Sequence, residues 1–107
     1  MKKKLEYIDD LIHEQYYDED GNINSEYYIL DKEDILIFHR LDGPAVLYYN
    51  KDGSIGSVKY YINGENHRED GPAIIHYNKD GSVNKEIYYI NGIQYDELQY
   101  WVITNSI

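Results

Sequence analysis

The residues best equipped for chemistry sit in a box that occurs twice. His39, Arg40 and Asp42 stand in HRLDGPA, and His67, Arg68 and Asp70 stand in HREDGPA, 28 residues further on. An imidazole, a guanidinium and a carboxylate this close together suit general acid–base work, anion binding or metal ligation. Repetition weighs against catalysis. A reaction needs its acid or base once, whereas a group present in every copy serves the copy itself. The two histidines occupy equivalent places two strands apart, roughly 10 Å at ~4.8 Å per strand step, too far to share a zinc whose ligands lie about 2 Å away. The box reads better as a corner. Asp-Gly forms the turn, Pro44 and Pro72 open the next strand where a missing amide donor is tolerated, and arginine bridges to aspartate or to open carbonyls.

The remaining chemical candidates are weaker. Asp18-Glu19-Asp20-Gly21 is like the middle of an EF-hand loop, but aligning the glycine puts Tyr16 at the first ligand position and Tyr27 at the twelfth. Asp52-Gly53 fails in the same way, with Tyr48 at the first position. His13 and His76 have no evident partners. Ser25, Ser54, Ser57, Ser82 and Ser106 lack a histidine and acid in support, and there is no Walker loop and no GxGxxG. The chain is therefore expected not to be an enzyme, with no catalytic residue, metal or cofactor.

The elements that must carry these residues follow from the duplication. HRLDGPAVLYYNKDGSIGSVKYYING and HREDGPAIIHYNKDGSVNKEIYYING align without a gap. Each copy holds two short segments rich in Val, Ile and Tyr: Ala45 to Tyr49 with Val58 to Ile62, then Ala73 to Tyr77 with Glu86 to Ile90. Asn50-Lys51-Asp52-Gly53 and Asn78-Lys79-Asp80-Gly81 predict bulged hairpins between them, and Asn63-Gly64 and Asn91-Gly92 predict type I′ turns. The expected turn-formers are thus Gly43, Pro44, Gly53, Gly64, Gly71, Pro72, Gly81 and Gly92. A valine at Gly43 or Gly71 is expected to strain the backbone if those glycines sit at positive φ. A weaker first copy precedes: Tyr16 to Gly21 matches Tyr48 to Gly53 at an offset of 32, and Glu26 to Ile29 matches Lys59 to Ile62 one residue out of step. Leu30 to Ile37 reads as a longer linker.

The expected fold is mainly β: an antiparallel β-meander of tandem two-strand repeats with a short C-terminal helix. It forms one domain, 1–107, in units 14–38 (degenerate), 39–66 and 67–94, with 95–107 as a cap. Asp96 with Gln99 predicts a capped helix, with Leu98, Val102 and Trp101 or Tyr95 on its apolar stripe. The same stretch, Gln99 to Thr104, also reads as a last strand. Along the strands neither side is cleanly polar, so the sheet either packs one face on itself or exposes tyrosines.

The HR-x-DGPA box, the Tyr-Tyr pairs and the Asn-Gly turns resemble the tandem repeats of small bacterial, phage and giant-virus proteins. These are akin to repeats of the membrane-occupation-and-recognition-nexus (MORN) type and to antitoxin-like repeat proteins. The matching residues are His39, Arg40, Asp42, Gly43, Pro44 and Ala45, then His67, Arg68, Asp70, Gly71, Pro72 and Ala73, and the resemblance spans roughly residues 14 to 94. It implies an elongated array of β-hairpins and a binding role, and it carries no catalytic residues. The departure is at the start, where the Asp20-Gly21 unit has no box before it.

Composition narrows the partners. Twenty acidic residues against ten basic give a net charge of −10, which disfavours direct nucleic-acid binding and anionic membranes. It favours a basic protein partner. There is no cysteine, no signal-peptide pattern at the start, and no apolar run near the ~20 residues of a membrane helix. A cytoplasmic location is expected, bacterial or in the host if the gene is viral. Asp18, Glu19 and Asp20, with Tyr48, Tyr49, Tyr60, Tyr61, Tyr77, Tyr88 and Tyr89, are the candidate protein-binding residues. The leading expectation is an inhibitor or antitoxin that occludes a basic surface of a nucleic-acid-handling enzyme or toxin, including an anti-defence protein of the anti-CRISPR kind. The alternative is a scaffold or self-assembling repeat module. A homodimer through edge strands or the tyrosine-rich face is open to either.

Overall fold

The computed structural model describes residues 2–105; Met1, Ser106 and Ile107, which the expected domain and cap include, lie outside them. The elements are β1 (Lys2–Ile8), β2 (Leu11–Tyr17), β3 (Ile23–Lys32), β4 (Ile35–Phe38), β5 (Val46–Tyr49), β6 (Ile55–Lys59), β7 (Tyr61–Ile62), β8 (Glu65–Asn66), β9 (Ile74–Tyr77), β10 (Val83–Ile90), β11 (Ile93–Tyr95) and α1 (Glu97–Asn105). Every ladder is antiparallel. The main sheet runs β1-β2-β3-β5-β6-β9-β10-β11, with β4 also on β3, and β7 pairs with β8 alone. The mainly β meander with one short C-terminal helix is what the repeat pattern predicts.

The second strand of each unit serves two ladders. Ser25, Glu26 and Tyr27 of β3 pair with β5, while Ile29 to Lys32 pair with β4. In β10 the first half pairs with β9, and Tyr88 to Ile90 pair with β11. Between these halves the box backbone wedges in. Ala45 N–H donates to the Lys59 carbonyl at 2.9 Å and Tyr60 N–H to the Ala73 carbonyl at 2.7 Å, while the Tyr60 carbonyl accepts from His67 N–H at 3.1 Å. The expected strand Val58 to Ile62 is accordingly broken at Tyr60 into β6 and β7. The outer halves make a row of hairpins along one end of the sheet, joined by Gly64 N–H to the Phe38 carbonyl and Gly92 N–H to the Asn66 carbonyl, both at 2.9 Å.

Two features at the start differ from the expected layout. The stretch read as a linker is itself a hairpin, β3 to β4, turning at Glu33 and Asp34, both at positive φ. The apparent one-residue slip also disappears. Ser25 faces Tyr48, Asn24 bulges opposite Tyr16/Tyr17 as Gly56 does opposite Tyr48/Tyr49, and Tyr28 and Tyr60 make the same backbone bonds. The offset of 32 therefore holds through Tyr28, and the extra length lies in the two longer arms of the first hairpin. Ahead of it, β1 occupies the edge that a preceding unit would fill. Its lysines, Lys2 to Lys4, discourage pairing with another chain at that edge.

The sheet is broad and thin, 46 × 40 × 17 Å, so its core is one layer deep. Leu47, Val58 and Ile75 form the buried centre, with Tyr28, Tyr49, Tyr60 and Tyr77 packed around them. Another set of rings makes mainly edge and tilted contacts: Tyr16 on Tyr27, Tyr27 on Tyr48, Tyr27 stacked on Phe38, and Phe38 on Tyr61. The helix is capped as predicted: Gln99 N–H donates to Asp96 Oδ1 at 2.8 Å, and Asp96 N–H to Gln99 Oε1 at 3.2 Å. Its buried face is not the expected stripe. Leu98 and Val102 are exposed, while Tyr100 is fully buried. The surface that α1 meets is the backbone of the third unit's box, which offers a donor and an acceptor. A phenol satisfies both and an aliphatic side chain satisfies neither.

Candidate functional site

Both boxes fold the same way: the histidines and arginines hold backbone, and the aspartates hold the arginines. The His39 Nδ1 accepts from Asn63 N–H and the His67 Nδ1 from Asn91 N–H, each at 2.9 Å. Each histidine thus anchors the Asn-Gly turn of the hairpin that follows, and Asn63 and Gly64 have the paired positive φ of a type I′ turn. The Arg40 guanidinium donates to Asp42 Oδ1 at 3.2 Å and to the Pro44 carbonyl at 3.1 Å, and lies 3.9 Å from the centre of the Tyr28 ring. Arg68 repeats this on Asp70, Pro72 and Tyr60, at 3.1, 3.1 and 4.1 Å. Gly43 and Gly71 do not have positive φ; instead, a Cβ on Gly43 would lie 2.9 Å from the Arg40 Cζ, and one on Gly71 3.0 Å from the Arg68 Cζ. These glycines are required by the guanidinium that lies on them. The other expected turn glycines, Gly53, Gly64, Gly81 and Gly92, do sit at positive φ.

Between the two boxes lies a hollow of about 710 Å³, lined by Arg40, Leu41, Asp42, Gly43, Tyr60, Ile62, His67, Arg68, Glu69 and Asp70. Beyond the third unit's box the corresponding space is filled. The Tyr100 hydroxyl accepts from Gly71 N–H at 3.1 Å and donates to the Arg68 carbonyl at 2.5 Å. Its ring packs 4.7 Å from Tyr88, with Trp101 beside both. Burial pushes the pKa of the Tyr100 hydroxyl up, which keeps it neutral and able to donate.

The first unit has no box and replaces it with a polar cluster. At the place of Ala45 and Ala73 stands His13, buried and stacked 4.3 Å from Tyr28. At the place of Val58 stands Glu26, which accepts from the His13 Nε2 at 2.9 Å, from the Gln15 amide at 3.1 Å and from the Tyr49 hydroxyl. Burial pushes the Glu26 carboxyl up, but the hydrogen bonds from Tyr49, His13 and Gln15 outweigh it and hold the carboxyl below its ordinary range. Burial and the same carboxylate push the Tyr49 hydroxyl far up. His13 and Glu26 were not singled out as a pair from sequence, because 13 residues separate them and only the β2–β3 register brings them together.

The charged residues divide between the two ends of the strands. Asp18, Glu19 and Asp20 lie in the β2–β3 turn, at the end away from the boxes. Asp18 is held there as a turn lock, accepting from Asp20 and Asn22 N–H at 3.0 and 2.9 Å. The other two turns at that end mix Lys51 with Asp52 and Lys79 with Asp80. Hydrogen bonds from the Ser54 and Ser82 hydroxyls, then their backbone N–H groups, lower the two aspartates' pKa values. The box end gathers more carboxylates: Asp9, Asp10, Glu33, Asp34, Asp42, Glu65, Glu69 and Asp70 are all exposed there. Both of its arginines are tied into the boxes. This grouping is invisible along the chain, because alternate turns of a meander fall at opposite ends.

The tyrosines divide as well. Tyr49, Tyr60 and Tyr77 pack on the core, and Tyr88 is buried under α1. Tyr48 is 37% exposed, with Tyr61 and Tyr89 half-buried. Among the described residues no group of three or more His, Asp or Glu side chains is arranged to hold a metal ion, and no helix is long and apolar enough to cross a membrane. Comparisons with family models, curated proteins and solved structures give no match.

Proposed function

We propose that this chain is a non-enzymatic protein-binding module that covers a basic surface of a nucleic-acid-handling enzyme or toxin, as an inhibitor or antitoxin does. The observation that carries the reading is the exposed carboxylate collection at the box end of a broad, thin sheet. A net charge of −10 gives long-range attraction to a basic partner, and a group of carboxylates on one end gives that attraction a direction. The engagement of His39, Arg40, His67 and Arg68 with backbone, turn and ring favours a structural role for the boxes. The likeness of the units to MORN-like and antitoxin-like repeats points to binding as well. A cytoplasmic setting belongs to the same proposal.

The test is capture from the native host on the immobilised chain, followed by elution with rising salt. A basic, nucleic-acid-handling protein should be retained, released by salt, and inhibited by the chain in its own assay. Charge reversal at the box end, Glu33→Lys with Glu69→Lys, should abolish retention; the pair Glu19→Lys and Asp20→Lys at the other end should not. Retention indifferent to the box-end reversals would overturn the reading. Recovery of only this chain, as discrete oligomers, would replace it with the scaffold reading.

A further inference from the structure

The chain carries its own example of what its boxes hold. In the third unit a tyrosine from α1 closes the box: the Tyr100 hydroxyl accepts a hydrogen bond from Gly71 N–H and donates one to the Arg68 carbonyl. In the second unit the box has the same internal geometry, with arginine-to-carbonyl distances of 3.1 Å in both. Gly43 N–H and the Arg40 carbonyl are therefore presented as Gly71 N–H and the Arg68 carbonyl are. No group among the described residues takes either of them. Gly71 and Pro72 are buried, whereas Gly43 and Pro44 are only half-buried, and this difference records the missing cover. The space over them is the 710 Å³ hollow, with the rings and guanidinium groups of Tyr60, Arg40 and Arg68 as walls.

We infer that the hollow over the second box is a binding site for a tyrosine side chain presented by a partner protein, whose hydroxyl bridges Gly43 N–H and the Arg40 carbonyl as Tyr100 bridges the third box. A hydroxyl is required because the site pairs one donor with one acceptor, and only a group that both accepts and donates satisfies the two at once. An aromatic ring is favoured because Tyr60 stands in the wall of the hollow as Tyr88 stands beside the Tyr100 ring, 4.7 Å away. The rim adds a preference. Asp42, Glu69 and Asp70 carry exposed carboxylates beside the opening, so the tyrosine it takes is flanked by lysine or arginine. This rests on the protein-binding reading and names the feature of the partner that this site recognises.

Short peptides separate the two ideas, since they need no natural partner. Acetyl-Lys-Tyr-Lys-amide, acetyl-Lys-Phe-Lys-amide and acetyl-Glu-Tyr-Glu-amide are titrated separately into the full chain, followed by amide NMR. The Gly43 amide should shift saturably with the Lys-Tyr-Lys peptide. The Gly71 amide, already held by Tyr100, should stay in place. The phenylalanine peptide should bind about tenfold more weakly, the scale of losing hydrogen bonds to two polar groups left unpaired, and the Glu-Tyr-Glu peptide should also be weaker. A Gly43 amide that ignores the tyrosine peptide, responds equally to phenylalanine, or moves together with Gly71 overturns the site. Equal binding of the Glu-flanked peptide overturns the basic-flank specificity. If the peptides fail while salt-sensitive capture through Glu33 and Glu69 succeeds, the site falls and the occlusion reading stands. If capture fails while the peptides bind as expected, the reverse holds.

Discussion

The boxes of the second and third units, alike except for Leu41 against Glu69, fold the same way and are finished differently. Inside each, arginine, aspartate, glycine and proline make the same clamp; outside, one is covered by Tyr100 and the other opens into a hollow. The contrast separates what a repeat specifies from what its neighbour adds. The box specifies a corner with a free donor and a free acceptor at its tip. Whether that tip is a buried joint or an open surface depends on what comes next in the chain, here the Asp96-capped helix. In the third unit the closing element is unlike the box it covers: a helix that brings Tyr100 onto Gly71 and the Arg68 carbonyl.

Making the third box resemble the second has the largest expected effect. Tyr100→Ala removes a fully buried ring from between Gly71, Tyr88 and Trp101. Urea unfolding should show a loss of about 3–5 kcal/mol, the usual range for deleting a buried aromatic. Leu41→Ala, in the open hollow and 80% exposed, should stay within about 0.5 kcal/mol of the parent. Equal losses would mean that the two boxes do not differ in cover. Tyr100→Phe, which keeps the ring, should lie between the two and speed exchange of the Gly71 amide.

The first unit extends the contrast, since it has no box and supports itself with His13, Glu26 and Tyr49. The folded-state pKa of Glu26 is lowered from its ordinary 4.5. Its contribution is therefore complete above about pH 4.5 and is lost as pH falls through the lower folded value. Glu26→Gln should destabilise the parent at neutral pH by about 1–3 kcal/mol, the penalty for unsettling a half-buried hydrogen-bonded group. It should also flatten the acid limb of the stability curve. Tyr49→Phe should do part of the same. A Glu26→Gln chain whose acid limb still follows the parent's would show that the boxed units, rather than the polar cluster, set acid stability.

Much of the scaffold was legible in the chain because turn chemistry is local. Asn63-Gly64, Asn91-Gly92 and the Asp-Gly turns fold as their residue types require, and the Asp96–Gln99 pair caps the helix it announces. What was not legible depends on which strand lies alongside. Lys59-Tyr60-Tyr61-Ile62 has strand propensity whether it joins one ladder or two, so the break at Tyr60 left no mark. The lysines that start β1 hid an edge strand, since edge strands tolerate charge that central strands do not. The helix stripe rule assumes an apolar partner, and it failed where α1 met polar backbone. The box-end carboxylates are scattered in sequence and gathered only by the alternation of turns. Gly43 and Gly71 sit in the expected turns, but for a reason that needs the arginine to be seen.

That last reason supplies the smallest and sharpest test. If glycine serves the guanidinium, its value should vanish once the guanidinium is gone. Gly43→Ala brings a Cβ to 2.9 Å from the Arg40 Cζ, and the arginine must move off its clamp on Asp42 and the Pro44 carbonyl. The loss should be about 1 kcal/mol, on the scale of one or two exposed charge-assisted bonds. In an Arg40→Ala background the same substitution should cost almost nothing, a coupling of about 1 kcal/mol. The cycle on Arg68 and Gly71 should return the same coupling, because its Cβ distance is 3.0 Å. Equal couplings with unequal effects of Tyr100 and Leu41 would separate clamp from cover. A Gly43→Ala loss that persists without Arg40 would instead place the demand for glycine in the backbone, where φ gives no reason for it.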